Sequence, residues 1–171
     1  MKEFSNAITL KGNPMTLLGN EVKVGDKAPD FTVSANDLSN VTLGNFKGKK
    51  LILSAVPSVD TPTCDIETRR FNEEAGKLGN DVAVLTISTD LPFAQKRWCA
   101  SAGIKNVQVL SDHRETSFGT NYGILIKGLR LLARAIFVVD VNGVVQYKQL
   151  VKEVAHEPDY NAVLEAVKKL K

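Results

Sequence analysis

Apolar runs of strand length alternate with amphipathic segments along most of this chain. The run over residues 51–56 predicts a buried strand, and residues 65–78 place apolar side chains at helical spacing. A second buried strand is predicted over residues 81–88, followed by a helix that Pro92 opens and that ends near Gly103. This alternation of strand and helix favours a sheet whose central strands are parallel.

Shorter patterns flank this central repeat. An N-terminal β-hairpin is predicted around Gly12-Asn13-Pro14, and a second hairpin around Asn142-Gly143, the strongest short turn signal in the chain. The hairpins and the buried strands together predict an α/β fold, a central mixed sheet flanked by helices, in a single domain over residues 1–171. Further elements are expected at residues 30–34 (strand), 38–48 (loop with a short strand), 107–111 (strand), 117–122 (helical turn) and 160–170 (amphipathic helix).

Composition and charge argue against several classes of protein. The chain is 43% hydrophobic and 24% charged, which argues against disorder, and its net charge of +3 is dispersed, which argues against nucleic-acid binding. No apolar run reaches the length of a membrane span, and residues 1–11 lack the apolar core of a signal peptide. Two cysteines do not make a disulfide scaffold. Because no signal peptide is recognised, we expect a cytoplasmic protein, and in a reducing cytoplasm a cysteine pair is more often catalytic than structural.

One of the two cysteines is predicted to lie at the start of a helix. Thr61 is a suitable N-cap and Pro62 a suitable first helical residue, which places Cys64 at the third helical position. There its N–H can bond to the Thr61 hydroxyl, whose own proton could point at the sulfur. Free N–H groups and the helix dipole favour a thiolate, the reactive form of cysteine. The alternative is a buried, inert cysteine behind an ordinary cap.

A lone cation interrupts the apolar run over residues 131–139. Arg134 could not be buried there unpaired at reasonable cost, so we expect an anion or several acceptors to face it. The alternative is an arginine on a solvent-facing edge. Arg130 is the competing candidate, and its flanks are less apolar.

Other chemistries have little support in the sequence. Neither cysteine belongs to a Cys-x-x-Cys motif, and no glycine-rich phosphate loop is present. Two cysteines and two scattered histidines, His113 and His156, do not have the spacing of a zinc site. We therefore expect neither a metal nor a cofactor.

Several segments resemble one protein family. The pattern Pro57-x-x-x-Thr61-x-x-Cys64 is that of the peroxiredoxin active site. More narrowly, residues 56–61 and 91–99 look like those of bacterial thiol peroxidases, which are atypical two-cysteine peroxiredoxins, and residues 131–135 resemble the segment that carries the family's active-site arginine. The resemblance extends from about residue 10 to the C-terminal helix. One departure is Pro62, where many relatives have glycine, and a proline suits a helix start.

The resemblance implies a fold, a reaction and a set of roles. The fold would be thioredoxin-like, and the reaction would be reduction of hydrogen peroxide and organic hydroperoxides by Cys64, assisted by Thr61 and Arg134. Cys99 would resolve the sulfenic acid of Cys64 as an intramolecular disulfide, after partial unwinding of both cysteine-bearing helices. Pro57 would shield the sulfur, unless it is a plain turn proline. Thioredoxin would recycle the enzyme, and a homodimer is expected.

Other readings of the same residues stay open at this point. Cys99, on a predicted helix beside Trp98, could be a packed core cysteine. The whole chain could also be a thioredoxin-type disulfide exchanger or a non-catalytic redox sensor on the same fold. The reaction of the reduced thiols with peroxide separates these readings.

Overall fold

A computed structural model describes all residues from Met1 to Lys171, in ten β-strands, four α-helices and one 3₁₀ turn at Leu43–Phe46. The strands are β1 (Lys2–Leu10), β2 (Asn13–Gly19), β3 (Thr32–Ser34), β4 (Asn40–Thr42), β5 (Lys50–Ala55), β6 (Val82–Ser88), β7 (Gln108–Ser111), β8 (Leu125–Ile126), β9 (Ala135–Val139) and β10 (Val145–Leu150). The helices are α1 (Pro62–Leu78), α2 (Pro92–Ala102), α3 (Ser117–Asn121) and α4 (Tyr160–Lys168). None of the helices has both the length and the apolar character to cross a bilayer.

Seven strands form the central sheet in the order β10-β9-β5-β6-β7-β3-β4. Strands β5, β6 and β7 are parallel neighbours, since helices α1 and α2 provide the crossovers between them. The remaining pairs are antiparallel, which confirms the predicted mixed sheet flanked by helices. The carboxyl ends of β5 and β6 therefore lead into the loops from which α1 and α2 begin. Each of these helices carries one of the two cysteines.

Alternate residues of the central strands face opposite layers. Leu51 and Leu53 of β5 belong to the larger apolar cluster, together with residues of the N-terminal hairpin. Ile52 belongs to the second cluster, which includes Phe71 of α1 and Val163 of α4. Ser54 has the same parity as Ile52, so a polar side chain from the middle of the sheet faces helix α1.

The N-terminal hairpin is longer than predicted and belongs to a second sheet. Strands β1 and β2 pair around Lys11 and Gly12, and β8 adds to β2 to give a three-stranded sheet. The hairpin tip is fixed by Glu153, whose carboxylate accepts hydrogen bonds from the Thr9 hydroxyl at 2.7 Å and from the Lys11 and Gly12 N–H groups at 3.0 and 3.1 Å. The hairpin is thereby attached to the chain segment that follows β10.

Candidate active site

Cys64 lies in the first turn of α1, directly after the loop that leaves β5. Thr61 is the N-cap in extended conformation, and its hydroxyl accepts a hydrogen bond from the Cys64 N–H at 3.4 Å, as predicted. The side chain of Cys64 is fully buried. The Thr61 hydroxyl proton, however, goes to the Ser58 carbonyl at 3.1 Å, so the expectation that it points at the sulfur was wrong. A carbonyl in the same tight turn is a stronger acceptor than sulfur.

A buried arginine, Arg134, contacts the sulfur of Cys64. It immediately precedes β9, and only 1% of its surface is exposed. Its Nη2 donates to Cys64 Sγ at 3.3 Å, its Nε donates to the Val154 carbonyl at 3.0 Å, and its Nη1 donates to the Glu67 carboxylate. The expectation that an anion and further acceptors face this arginine is therefore confirmed. The competing Arg130 is exposed and contacts Thr116 instead.

Glu67 is a member of the site that the sequence analysis did not predict. It lies three residues after Cys64 on the buried face of α1 and is 0% exposed. The Ser54 hydroxyl donates to its carboxylate at 2.8 Å. Burial raises the pKa of Glu67, and the Arg134 guanidinium and the Ser54 hydroxyl act in the opposite direction. A glutamate at helical spacing between Cys64 and Phe71, both apolar positions of α1, was the available signal.

The loop before Cys64 is held by a second carboxylate. Asp90, which lies between β6 and α2, accepts hydrogen bonds from the Ser58 hydroxyl at 2.7 Å, the Val59 N–H at 2.9 Å and the Ser88 hydroxyl at 2.6 Å. Pro57 is buried at the start of this loop. Asp90 thus connects the loop that leads to the first cysteine with the start of the helix that carries the second.

Cys99 lies on α2 and is partly exposed, and neither cysteine is in a disulfide. It lines an open cleft of about 450 Å³ together with Asn36 and Val109. Burial raises the pKa of the Cys99 thiol, with a hydrogen bond from Asn36 acting in the opposite direction. The structure contains no cluster of three His, Cys, Asp or Glu side chains that could hold a metal ion.

Comparison with known proteins agrees with this geometry. The family profile described as Redoxin matches residues 23–164. Thiol peroxidase from Halalkalibacterium halodurans is 62% identical over 95% of this chain and 97% of the relative, and thiol peroxidase from Bacillus subtilis is 58% identical over the same shares. The crystal structure of a peroxiredoxin-like protein from Aquifex aeolicus superposes with a TM-score of 0.91 at 46% identity, covering 97% of this chain and 98% of that one.

A cysteine at a helix start in contact with an arginine, on a mixed sheet flanked by helices, is typical of a thiol-based redox protein with a thioredoxin-like fold. The matches cover nearly the whole chain, and the relatives are matched over nearly their whole length. The chain belongs to the Redoxin family and, within it, to the thiol peroxidases.

Proposed function

We propose that this protein reduces hydrogen peroxide and organic hydroperoxides, with Cys64 as the attacking sulfur. The observation that carries the proposal is the 3.3 Å contact between Arg134 Nη2 and Cys64 Sγ at the start of α1. A cation and a helix N-terminus both favour negative charge at the sulfur. Membership of the thiol peroxidases supports the same reaction.

The first step breaks the O–O bond of the peroxide. The Cys64 thiolate attacks one oxygen to give a sulfenic acid, and the other oxygen leaves as water or an alcohol after it takes up a proton. Arg134 is suited to stabilise the charge on the leaving oxygen, because Val154 and Glu67 already hold the Nε and Nη1 sides of its guanidinium plane. Burial lowers the pKa of Arg134, but Glu67 and Cys64 outweigh this and raise it, so the cation persists.

The second step joins the two cysteines. The sulfenic acid of Cys64 condenses with the Cys99 thiol, which forms the disulfide and releases water. A disulfide requires Cα atoms within about 7 Å. Because Cys64 is fully buried on α1 and Cys99 lies on α2, we propose that the first turn of α1 and part of α2 unwind for this step.

The proposal extends to the partners and the compartment. A cycle that ends in a disulfide needs a dithiol donor, for which a thioredoxin is the proposed reductant, and a reducing cytoplasm is the compartment that maintains such donors. We also propose a single-domain protomer that assembles as a homodimer, as the resemblance to the peroxiredoxins implies. Thr61 would fix the first turn of α1 through its cap, and Pro57 would shield the sulfur.

Stopped-flow mixing of the reduced protein with hydrogen peroxide or cumene hydroperoxide tests this function. We expect fast peroxide consumption that Cys64→Ser abolishes. Cys99→Ser should complete one turnover and then stall as the sulfenic acid. Slow consumption by the wild type, at the rate of a free thiol, would contradict the peroxidase and leave the disulfide exchanger or the redox sensor. Sustained turnover of Cys99→Ser with thioredoxin would contradict the resolving role.

A further inference from the structure

The two helices that carry the cysteines are connected by one short chain of polar contacts. The indole Nε1 of Trp98 donates to Asp65 Oδ1 at 3.0 Å, and Arg69 Nε donates to Asp65 Oδ2 at 2.9 Å. Arg69 Nη1 also donates to the carbonyl of Ala102, the last residue of α2, at 3.2 Å. Both oxygens of Asp65 are therefore engaged, and one arginine spans the start of α1 and the end of α2.

The hydrogen bond between Trp98 and Asp65 lies directly beside both cysteines in the chain. Asp65 follows Cys64 in the chain, and Trp98 precedes Cys99. The Trp98 ring is 8% exposed and belongs to the same apolar cluster as Cys64 and Val59. Its N–H has one partner, Asp65, and a buried indole that loses its acceptor is left with an unsatisfied donor. Unwinding of the first turn of α1 would have to break this bond or move Trp98 with it.

We infer that the Asp65–Trp98 hydrogen bond is a latch that sets how fast the oxidised Cys64 reaches Cys99. The inference rests on the proposed peroxidase function, since the latch acts only after the sulfenic acid has formed. Asp65 and Trp98 are positioning residues in this scheme, because neither side chain touches the reacting oxygen. The carboxylate of Asp65 joins the segment that carries Cys64 to the segment that carries Cys99.

Two reactions compete for the sulfenic acid, and the latch decides between them. With Cys99 it forms the disulfide and releases one water. With a second hydroperoxide molecule it is oxidised to the sulfinic acid while that peroxide is reduced to water or an alcohol. The first reaction needs the helices to open, whereas the second, like the attack on the first peroxide, takes place with Cys64 still beside Arg134. A strong latch therefore favours the sulfinic acid, and a weak latch favours the disulfide.

Two variants weaken the latch in different ways. Trp98→Phe removes the N–H donor, keeps an aromatic ring in the cluster and leaves every charge unchanged. Asp65→Ala removes the acceptor but keeps Trp98, the only tryptophan, as a fluorescent reporter. Glu74→Gln is the matched control, because it removes a carboxylate paired with Arg70 at i,i+4 on the same helix without a contact to α2.

The test follows thiol oxidation states by rapid quench, alkylation and mass spectrometry. Sulfenic-acid formation scales with peroxide concentration, whereas disulfide formation from it is first order and independent of peroxide. We expect both latch variants to raise the first-order rate about tenfold, as loss of one hydrogen bond to a charged group implies. Trp98→Phe should keep the second-order rate of the wild type. The peroxide concentration that gives half conversion to sulfinic acid should rise by a similar factor, and Glu74→Gln should change neither quantity.

The results distinguish failure of the latch from failure of the proposed peroxidase function. Rapid oxidation of Cys64 by peroxide, with wild-type disulfide formation in both latch variants, would overturn the latch alone. An equal acceleration in Glu74→Gln would also overturn it, since the effect would then come from weakening α1 in general. Wild-type protein whose Cys64 does not react with peroxide would overturn the peroxidase proposal and the latch together.

Discussion

The guanidinium of Arg134 and the carboxylate of Glu67 form an ion pair from which solvent is excluded on both sides. Their side chains are 1% and 0% exposed. Glu67 lies one helical turn after Cys64, and Arg134 contacts both of them, so a single cation serves a carboxylate and a sulfur. The behaviour of the sulfur is therefore coupled to a residue that lies outside the family's sequence motif.

Removal of either half of a buried ion pair is expected to be costly. Glu67→Ala leaves the Arg134 charge without its carboxylate, and we expect it to lower the free energy of unfolding by about 3–5 kcal/mol. Glu67→Gln keeps an acceptor for Arg134 and for Ser54, so we expect a loss of about 1–2 kcal/mol. Urea denaturation of the reduced proteins measures both values. Equal losses in the two variants would show that the charge of the Glu67 carboxylate, and not the packing and hydrogen bonding that glutamine retains, decides stability at this position.

Glu67 also competes with the sulfur for the positive charge of Arg134. Without that carboxylate, negative charge at the sulfur is repelled less and attracted more. We expect Glu67→Gln to move the midpoint of the pH–rate profile for peroxide reduction to lower pH. Stopped-flow rates between pH 4 and 9 on wild type and variant provide the comparison. A midpoint that stays in place, or moves to higher pH, would contradict this coupling.

Arg134 is expected to require its planar fork as well as its charge. A lysine offers a single ammonium group, which cannot contact Cys64, Glu67 and the Val154 carbonyl in the same geometry. Arg134→Lys should lower the second-order rate constant with hydrogen peroxide by about 100-fold. Arg130→Lys is the matched control on the exposed loop nearby and should leave the rate unchanged. An Arg134→Lys enzyme with wild-type rate would remove the arginine from the proposed mechanism.

Glu153 is expected to make the hairpin contact sensitive to acid. Hydrogen bonds from the Thr9 hydroxyl and from the Gly12, Ala155 and Lys11 N–H groups lower the pKa of Glu153 from its ordinary value of 4.5 to about 2. A carboxyl group with a lowered pKa contributes stability that is fully present above pH 4.5 and is lost as the pH falls towards 2. Glu153→Gln should therefore be less stable than wild type at pH 7, and the difference should shrink over that acidic window.

Thermal unfolding measured between pH 2 and 7 tests this expectation about the hairpin. Glu165→Gln, which removes an exposed carboxylate of α4 whose ion-pair partner is Lys168, is the control and should follow the wild type throughout. A constant difference between Glu153→Gln and wild type across the whole range would contradict the linkage to the Glu153 proton.

The sequence predicted the parts of the fold that local patterns encode. The strand before Cys64, the helix start at Pro62 and the hairpin around Asn142-Gly143 all occur where the pattern placed them. Strand β8 was not predicted, because two residues have no periodicity and its existence depends on pairing with β2. The same limit explains why the N-terminal hairpin was predicted too short, because its first strand begins at Lys2 and contains exposed polar residues.

The sequence predicted those candidate site residues that are unusual within their own segment of the chain. Cys64 at a helix start and Arg134 in an apolar run are each unusual in their own segment. Glu67 and Asp90 are ordinary acidic residues by the same local standard, and their importance comes from partners 67 and 32 residues away. The direction of the Thr61 proton was also out of reach, since it depends on the exact approach of the Ser58 carbonyl.

In the proposed cycle, the formal charge of the buried trio of Cys64, Glu67 and Arg134 changes when the sulfur is oxidised and changes back when it is reduced. With an ionised sulfur and an ionised Glu67 it holds two negative charges against one positive charge, a surplus of one inside a dry interior. A sulfenic acid is neutral, so the first chemical step brings this pocket to exact balance. In the proposed mechanism, transfer of a peroxide oxygen to the sulfur therefore removes one uncompensated negative charge from the protein interior.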